Sequence, residues 1–141
     1  MKILIVCSGN TCRSQMAEGF LKSFDPELEV YSAGTNTKPD VNPLAIKAMS
    51  EIGIDISKHH TKSVEEFLNT DFDYVITVCN SANEVCPYFA GKVKTRLHFG
   101  FPNPTTTEGN EEEVMPVYRK VRDQIKIKFH QFYKEKIGVK S

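Results

Sequence analysis

Two cysteines and an arginine carry much of the chemical information in this sequence. Cys7 ends the apolar run Ile3-Leu4-Ile5-Val6 and opens the stretch Cys7-Ser8-Gly9-Asn10-Thr11-Cys12-Arg13-Ser14. A thiol at one end of a Gly-Asn turn and a guanidinium at the other suit attack on a tetrahedral oxyanion. Loop amides freed to curl by Gly9 and Asn10 can form a concave anion nest. A helix opening at Arg13-Ser14 adds unpaired N–H groups and the positive end of its dipole. Arg13 supplies a planar fork for two-pronged oxyanion binding, and the combined field favours an ionised sulfur on Cys7. Cys7 is thus the candidate nucleophile and Ser14 a hydrogen-bond donor to it. Ser8, Gly9, Asn10, Thr11, Cys12 and Arg13 form the candidate oxyanion cradle, with Asn10 holding the loop's shape.

A second pair of cysteines lies in VITVCNSANEVCPYF, where Cys79 ends another apolar run and Cys86 follows seven residues on. Four cysteines in a reducing compartment point to catalysis, redox work or metal binding before a structural framework. A zinc site from Cys7, Cys12, Cys79 and Cys86 is disfavoured by its loose spacing and by the cation at Arg13. A lone Cys-x5-Arg arises by chance, and a buried cysteine commonly acts as a small hydrophobe. The strand before, the Gly-Asn within and the helix after set this loop apart. Cys12 is expected to shape the loop more than to react, with a Cys7–Cys12 bridge left open. If residues 79–86 were helical, the two cysteines would stand about 10 Å apart along the axis, beyond the roughly 4.4–6.8 Å of a disulfide. Asn80, Ser81 and Asn83 are weak helix formers, so residues 80–91 are expected to form a redox-dependent switch.

The elements that must position these groups alternate. Lys2–Val6 reads as a strand buried on both faces. Met16, Ala17, Phe20, Leu21 and Phe24 mark a helix face from Ser14 to Asp25-Pro26. Leu28–Ser32 is a short strand ending at Ala33-Gly34. Asn42-Pro43 caps a helix carrying Leu44, Ala45, Ala48, Met49 and Ile52 and stopped by Gly53. Ser63-Val64-Glu65-Glu66 fits a capping box for a short helix over Val64–Leu68. Tyr74–Val78 and Lys94–Phe99 are further strands, Phe101–Glu113 a loop, and Val114 to near Gly138 a long amphipathic helix. This order predicts one α/β domain over residues 1–141, an open four-stranded parallel sheet flanked by helices. Ligands of such sheets bind beyond the carboxyl ends of the strands, which places Cys7 and Cys79 on one edge if their strands are neighbours.

With 18 basic and 18 acidic residues there is no bulk field to draw nucleic acid or a membrane surface. No apolar run approaches the roughly 20 residues of a membrane span, and the short run at Ile3–Val6 does not read as a signal peptide. A cytoplasmic location is expected.

The segments CSGNTCRSQMAEGF, YSAGT, NPLAIKAM, IDISKH and VRDQIK resemble the low-molecular-weight protein tyrosine phosphatase superfamily, and within it the thioredoxin-coupled arsenate reductases. The resemblance covers Lys2 to about Phe132 and implies a thiol relay with no metal and no tightly bound cofactor. In that relay Cys7 attacks arsenate, for which phosphate is an analogue. Cys79 then attacks the Cys7 sulfur and releases arsenite. Cys86 resolves the bridge to Cys79–Cys86, and thioredoxin, the electron donor, reduces it. The resemblance also raises a monovalent cation, an expectation weakened by Lys62, which stands where some of these reductases carry an acidic residue.

The chain departs from the family in one catalytic place. Members of the family it resembles usually carry Asp-Pro in the loop after the last strand, with the Asp as general acid; here FGFPNPTTTEGNEEE puts Asn103-Pro104 there. An amide has no titrating proton to give, and general acid catalysis is worth about 10²–10⁴-fold. Glu108, Glu111 and His98 are the candidate replacements, each also readable as a surface residue. His59 and His60 read as surface or loop residues. Two other functions stay open beside reduction: a phosphatase whose extra cysteines protect it, and a non-catalytic oxyanion-binding adaptor.

Overall fold

The computed structural model describes residues 1–79 and 89–138, so Cys86 and most of the expected switch at 80–91 lie outside the described residues. Its strands are β1 (Lys2–Cys7), β2 (Glu29–Gly34), β3 (Phe72–Thr77) and β4 (Val93–His98). They form a single four-stranded sheet in the order β2-β1-β3-β4, and every pairing is parallel. The α-helices are α1 (Arg13–Phe24), α2 (Pro43–Ser50) and α3 (Glu111–Phe132).

Beyond Lys2, β1 is fully buried because it has neighbours on both sides and cover on both faces. Ile3 and Ile5 point into a core built with α1, α2 and α3, including Met16, Phe20, Met49, Ile125 and Phe129. Leu4 and Val6 point the other way, onto Phe72, Val75 and Phe89, with Val64 and Phe67 packed alongside. The period of two in β1 thus feeds two cores from one continuous apolar run.

Most boundaries move by one or two residues from the sequence expectation, and three differences have local causes. Val64–Phe67 is a single 3-10 turn, although its Ser63/Glu66 capping box forms as expected. The connection before α3 is shorter and more ordered than a plain loop. Pro104–Thr106 make a 3-10 turn capped by Asn103, and α3 starts at Glu111 because Asn110 accepts from the Glu113 amide. At its other end, α3 passes into a π turn over Tyr133–Ile137, closed at Gly138. Among the described residues no helix is long and apolar enough to cross a membrane.

The chain leaves β1 for β2 on one side and later returns to β3 on the other. The carboxyl end of β1 is therefore a topological switch point, where open α/β sheets bind ligands. Val6 pairs with Thr77 and the Val78 amide donates to Val6 O at 3.2 Å. Cys7 and Cys79 accordingly leave adjacent strands at the same edge.

Candidate active site

Cys7 is the last residue of β1, and the five residues after it form a loop whose carbonyls are all turned outward. Ser8 O accepts from the Asn36 amide (2.9 Å), Gly9 O from Lys38 (3.2 Å), Thr11 O from Asn42 (2.9 Å) and Cys12 O from Met16 (2.9 Å). Asn10 O accepts from Gln15 Nε2 at 3.0 Å. Five successive carbonyls held from outside leave the loop amides to face the enclosed space, which is the requirement for an anion nest. The turn needs a left-handed residue, and Asn10 supplies it at φ +57°, a conformation asparagine tolerates better than most residues. Among the described residues no side chain caps α1, whose N-cap residue is Cys12. The positive helix end is thus available to a ligand.

Behind the loop, one chain of hydrogen bonds fixes where protons point. The Lys62 amide donates to Asn10 Oδ1 at 2.9 Å, so Asn10 Nδ2 faces and donates to Ser14 Oγ at 2.9 Å. Ser14 Oγ, which accepts from Asn10, lies 2.9 Å from Cys7 Sγ, within reach to donate its O–H to the sulfur. The Asn10 amide donates to the same sulfur at 3.1 Å. Two polar partners thus hold the buried sulfur in place at the floor of the loop.

The resulting cavity, about 210 Å³, is lined by the loop Cys7–Arg13 together with Asn36, Lys38, Asn103 and Thr105. Arg13 is buried, and its Nη1 donates to Phe101 O at 3.0 Å, which anchors the guanidinium to the β4–α3 connection. Asn103 reaches the same cavity. Its Oδ1 accepts from both the amide (3.1 Å) and the hydroxyl (2.6 Å) of Thr105. All the cradle residues expected from the sequence are therefore gathered with Asn103 around one space, with Ser14 directly behind Cys7.

The remaining cysteines divide by environment. Burial pushes the Cys12 thiol up to about 12, against the opposing pull of Arg13 and with the repulsion of Cys7 added. Cys12 therefore stays protonated at neutral pH and packs as part of the loop. Cys7 and Cys12 are free thiols, whereas Cys79 is buried and disulfide-bonded. Among the described residues the cavity wall does not include Cys79. The candidate acids proposed beside Asn103 stand elsewhere. His98 Nδ1 bonds Thr77 Oγ1 at 2.7 Å, Glu111 pairs with Lys47 on α2, and Glu108 is exposed.

A polar group under the loop is absent from the sequence reading. Gln15, fully buried, donates through Nε2 to Asn10 O and to His60 O (3.1 Å). Its Oε1 must then accept from His59 Nδ1 at 3.1 Å, which fixes the proton of a neutral His59 on Nδ1. Glu18 lies deeper, taking a 2.6 Å bond from Ser32 Oγ and ion pairs from Lys22 (2.6 Å) and Lys62 (3.9 Å). Burial works to raise the Glu18 carboxyl, but Lys22, Ser32, Lys62 and His59 together hold it below its ordinary value. His59 is held down by burial, with Lys22 and Lys62 adding to the effect against the pull of Glu18 and Asp55. His59 is thus no free surface residue; His60 is exposed and contributes its carbonyl. The available sequence signal was the pair Gln15 and Glu18 inside a helix face that is otherwise apolar.

A parallel sheet whose first strand delivers a cysteine to a loop closed by an arginine at a helix start is an arrangement able to set sulfur against an oxyanion. The chain matches the low molecular weight phosphotyrosine protein phosphatase family over residues 2–140, and it belongs to that family. It is 47% identical to the arsenate reductase of Halalkalibacterium halodurans over 124 residues, 87% of this chain and 88% of that one. To the arsenate reductase of Shouchella clausii it is 44% identical, over 92% of this chain and 93% of the relative. A solved arsenate reductase in its phosphate-binding state superposes with a TM-score of 0.77 at 32% identity, covering 95% of this chain and 97% of the other.

Proposed function

We propose that the protein reduces arsenate to arsenite by a three-cysteine relay. The Cys7 thiolate attacks arsenic, forming an S–As bond as one oxygen leaves as water. The Cys79 thiolate then attacks the Cys7 sulfur. The new S–S bond forms while the S–As electron pair passes to arsenic, releasing arsenite. Cys86 attacks Cys79, frees Cys7 and leaves a Cys79–Cys86 disulfide, which a thioredoxin dithiol reduces. Two electrons pass in all, from thiol sulfur to arsenic. A relay of this kind needs a reducing compartment, which the cytoplasm provides.

The observation that carries this reading is the coexistence of a free Cys7 in the cradle with a disulfide-bonded Cys79 at the end of the adjacent strand. That arrangement supports a relay in which Cys7 meets the oxyanion and Cys79 takes over its sulfur bond. The names of the relatives point the same way. Asn103 favours reduction over ester hydrolysis, because a phenoxide or alkoxide leaves poorly without a proton, whereas protonated arsenate brings protons of its own. Lys62 beside Glu18 weighs against a required monovalent cation.

The test is a single turnover of pre-reduced protein with arsenate, counting thiols lost and mapping the disulfide by peptide mass spectrometry. Loss of two thiols into a Cys79–Cys86 bridge, with one arsenite per chain, is expected. Unchanged thiols with steady hydrolysis of p-nitrophenyl phosphate would move the assignment to a phosphatase.

A further inference from the structure

The family motif accounts for one cation at the cavity, Arg13, but the wall contains a second. Lys38 lines the same space as Cys7 and Arg13, and no Asp or Glu is among the described lining residues. A chain with 18 basic and 18 acidic residues thus sets two positive side chains, and among the described residues no carboxylate, around one small cavity. Such an asymmetry raises the local affinity for a multiply charged anion and steers its approach.

The main chain at Lys38 is fixed against the cradle, which keeps the base of its side chain beside the cavity. Its amide donates to Gly9 O at 3.2 Å, and two residues earlier the Asn36 amide donates to Ser8 O at 2.9 Å. The β2–α2 connection is thereby stitched along the first half of the cradle. The Lys38 stem runs against Gly9: its Cγ is 3.5 Å from where a side chain at that position would begin. Arg13 closes the loop at its carboxyl end, and Lys38 stands over its amino end.

We propose that Lys38 is a second cationic ligand of the bound tetrahedral oxyanion, engaging an oxygen at the open mouth of the cavity. This rests on the oxyanion reading of the site but does not depend on which reaction follows. Arg13 is buried and presents a fixed fork, whereas Lys38 is exposed and is a compact charge on a flexible stem. The two divide the work: Arg13 orients the anion, and Lys38 neutralises the charge that remains facing solvent.

The test is calorimetric titration of pre-reduced protein with inorganic phosphate at several salt concentrations, comparing the native chain with Lys38→Gln and Lys38→Arg. Because the side chain is exposed, both variants are expected to keep the native melting temperature. Lys38→Gln should bind phosphate about 5- to 30-fold more weakly with a shallower salt dependence, and Lys38→Arg should recover most of the affinity. In arsenate assays the glutamine variant should show its loss mainly in KM. Equal phosphate affinity in Lys38→Gln and the native chain overturns the inference, whatever the enzyme reduces. If Lys38→Gln binds phosphate more weakly while the native chain releases no arsenite, the second cation stands and the reductase assignment falls.

Discussion

Asn103 is where one atom decides which chemistry the site can support. Its Oδ1 already accepts two hydrogen bonds from Thr105, so Asn103→Asp should keep the local geometry while restoring a titratable oxygen. The same two bonds favour the ionised carboxylate, so the restored acid will hold its proton only under acidic conditions. We expect hydrolysis of p-nitrophenyl phosphate to rise about 10²-fold in the variant at mildly acidic pH and to fall away towards neutrality. A steady-state pH profile checks this; a gain equal at every pH would mean the carboxyl is not the proton source. Gln15 is a second single-residue case. Gln15→Met removes the donor to Asn10 O, a buried carbonyl, whereas His60 O keeps its bond from Lys62 Nζ. The orphaned Asn10 carbonyl costs about 1–3 kcal/mol. Phosphate affinity should fall together with the melting temperature, because the carbonyl of the left-handed residue is no longer held outward.

At the scale of elements, the cradle depends on how closely β2 and its exit pass the loop. A side chain at Gly34 would begin 2.4 Å from Ser8 O, a backbone atom. Gly34→Ala must therefore displace the loop itself, at an overpacking cost of about 1–3 kcal/mol. Thermal melts should show the destabilisation and phosphate titration a weakened site. Much at this scale was legible beforehand. The apolar run Ile3–Val6, the Asn42-Pro43 cap and the Gly9-Asn10 turn each have a local physical cause, and each forms where that cause operates. The register that sets Cys7 and Cys79 on neighbouring strands was conditional in the sequence and is explicit in the pairing of Val6 with Thr77. The His59–Gln15–Asn10 chain was not legible, because it joins residues up to 49 positions apart in sequence, from Asn10 to His59, through bonds that no periodicity encodes. Lys38 escaped for a similar reason: only the fold brings the β2–α2 connection against Gly9.

The whole molecule should carry a pH signature from the group beneath the cradle. His59 lies below its unfolded value near 6.5 because burial disfavours its charged form, Lys22 and Lys62 reinforcing this and Glu18 and Asp55 opposing it. Its contribution is fully present above that value and is lost as pH falls through the lower folded one. Glu18, below its unfolded value near 4.5 despite its burial, behaves with the same sign in a more acidic window. Melting temperature should therefore begin to decline below about pH 6.5 and decline again below the ordinary carboxylate range. His59→Gln should remove the first decline and leave the second. Differential scanning calorimetry from pH 7 to 3 reads both; a first decline that persists in His59→Gln would assign it to another group.

The outward tethering of the five loop carbonyls also bears on selectivity. A rigid cup of amides, already shaped before anything enters, recognises geometry and charge, and phosphate offers nearly the same geometry and charge as arsenate. For the reduction proposed here, discrimination then cannot reside in occupancy. Phosphate, as the commoner anion in a cell, competes for the same cup and sets the concentration of arsenate at which turnover becomes appreciable. Selection falls to the step after capture, since arsenic bound to sulfur accepts an electron pair from an attacking thiol and phosphorus does not. The enzyme would thus be a kinetic filter behind an indiscriminate door, with phosphate supply setting its working threshold.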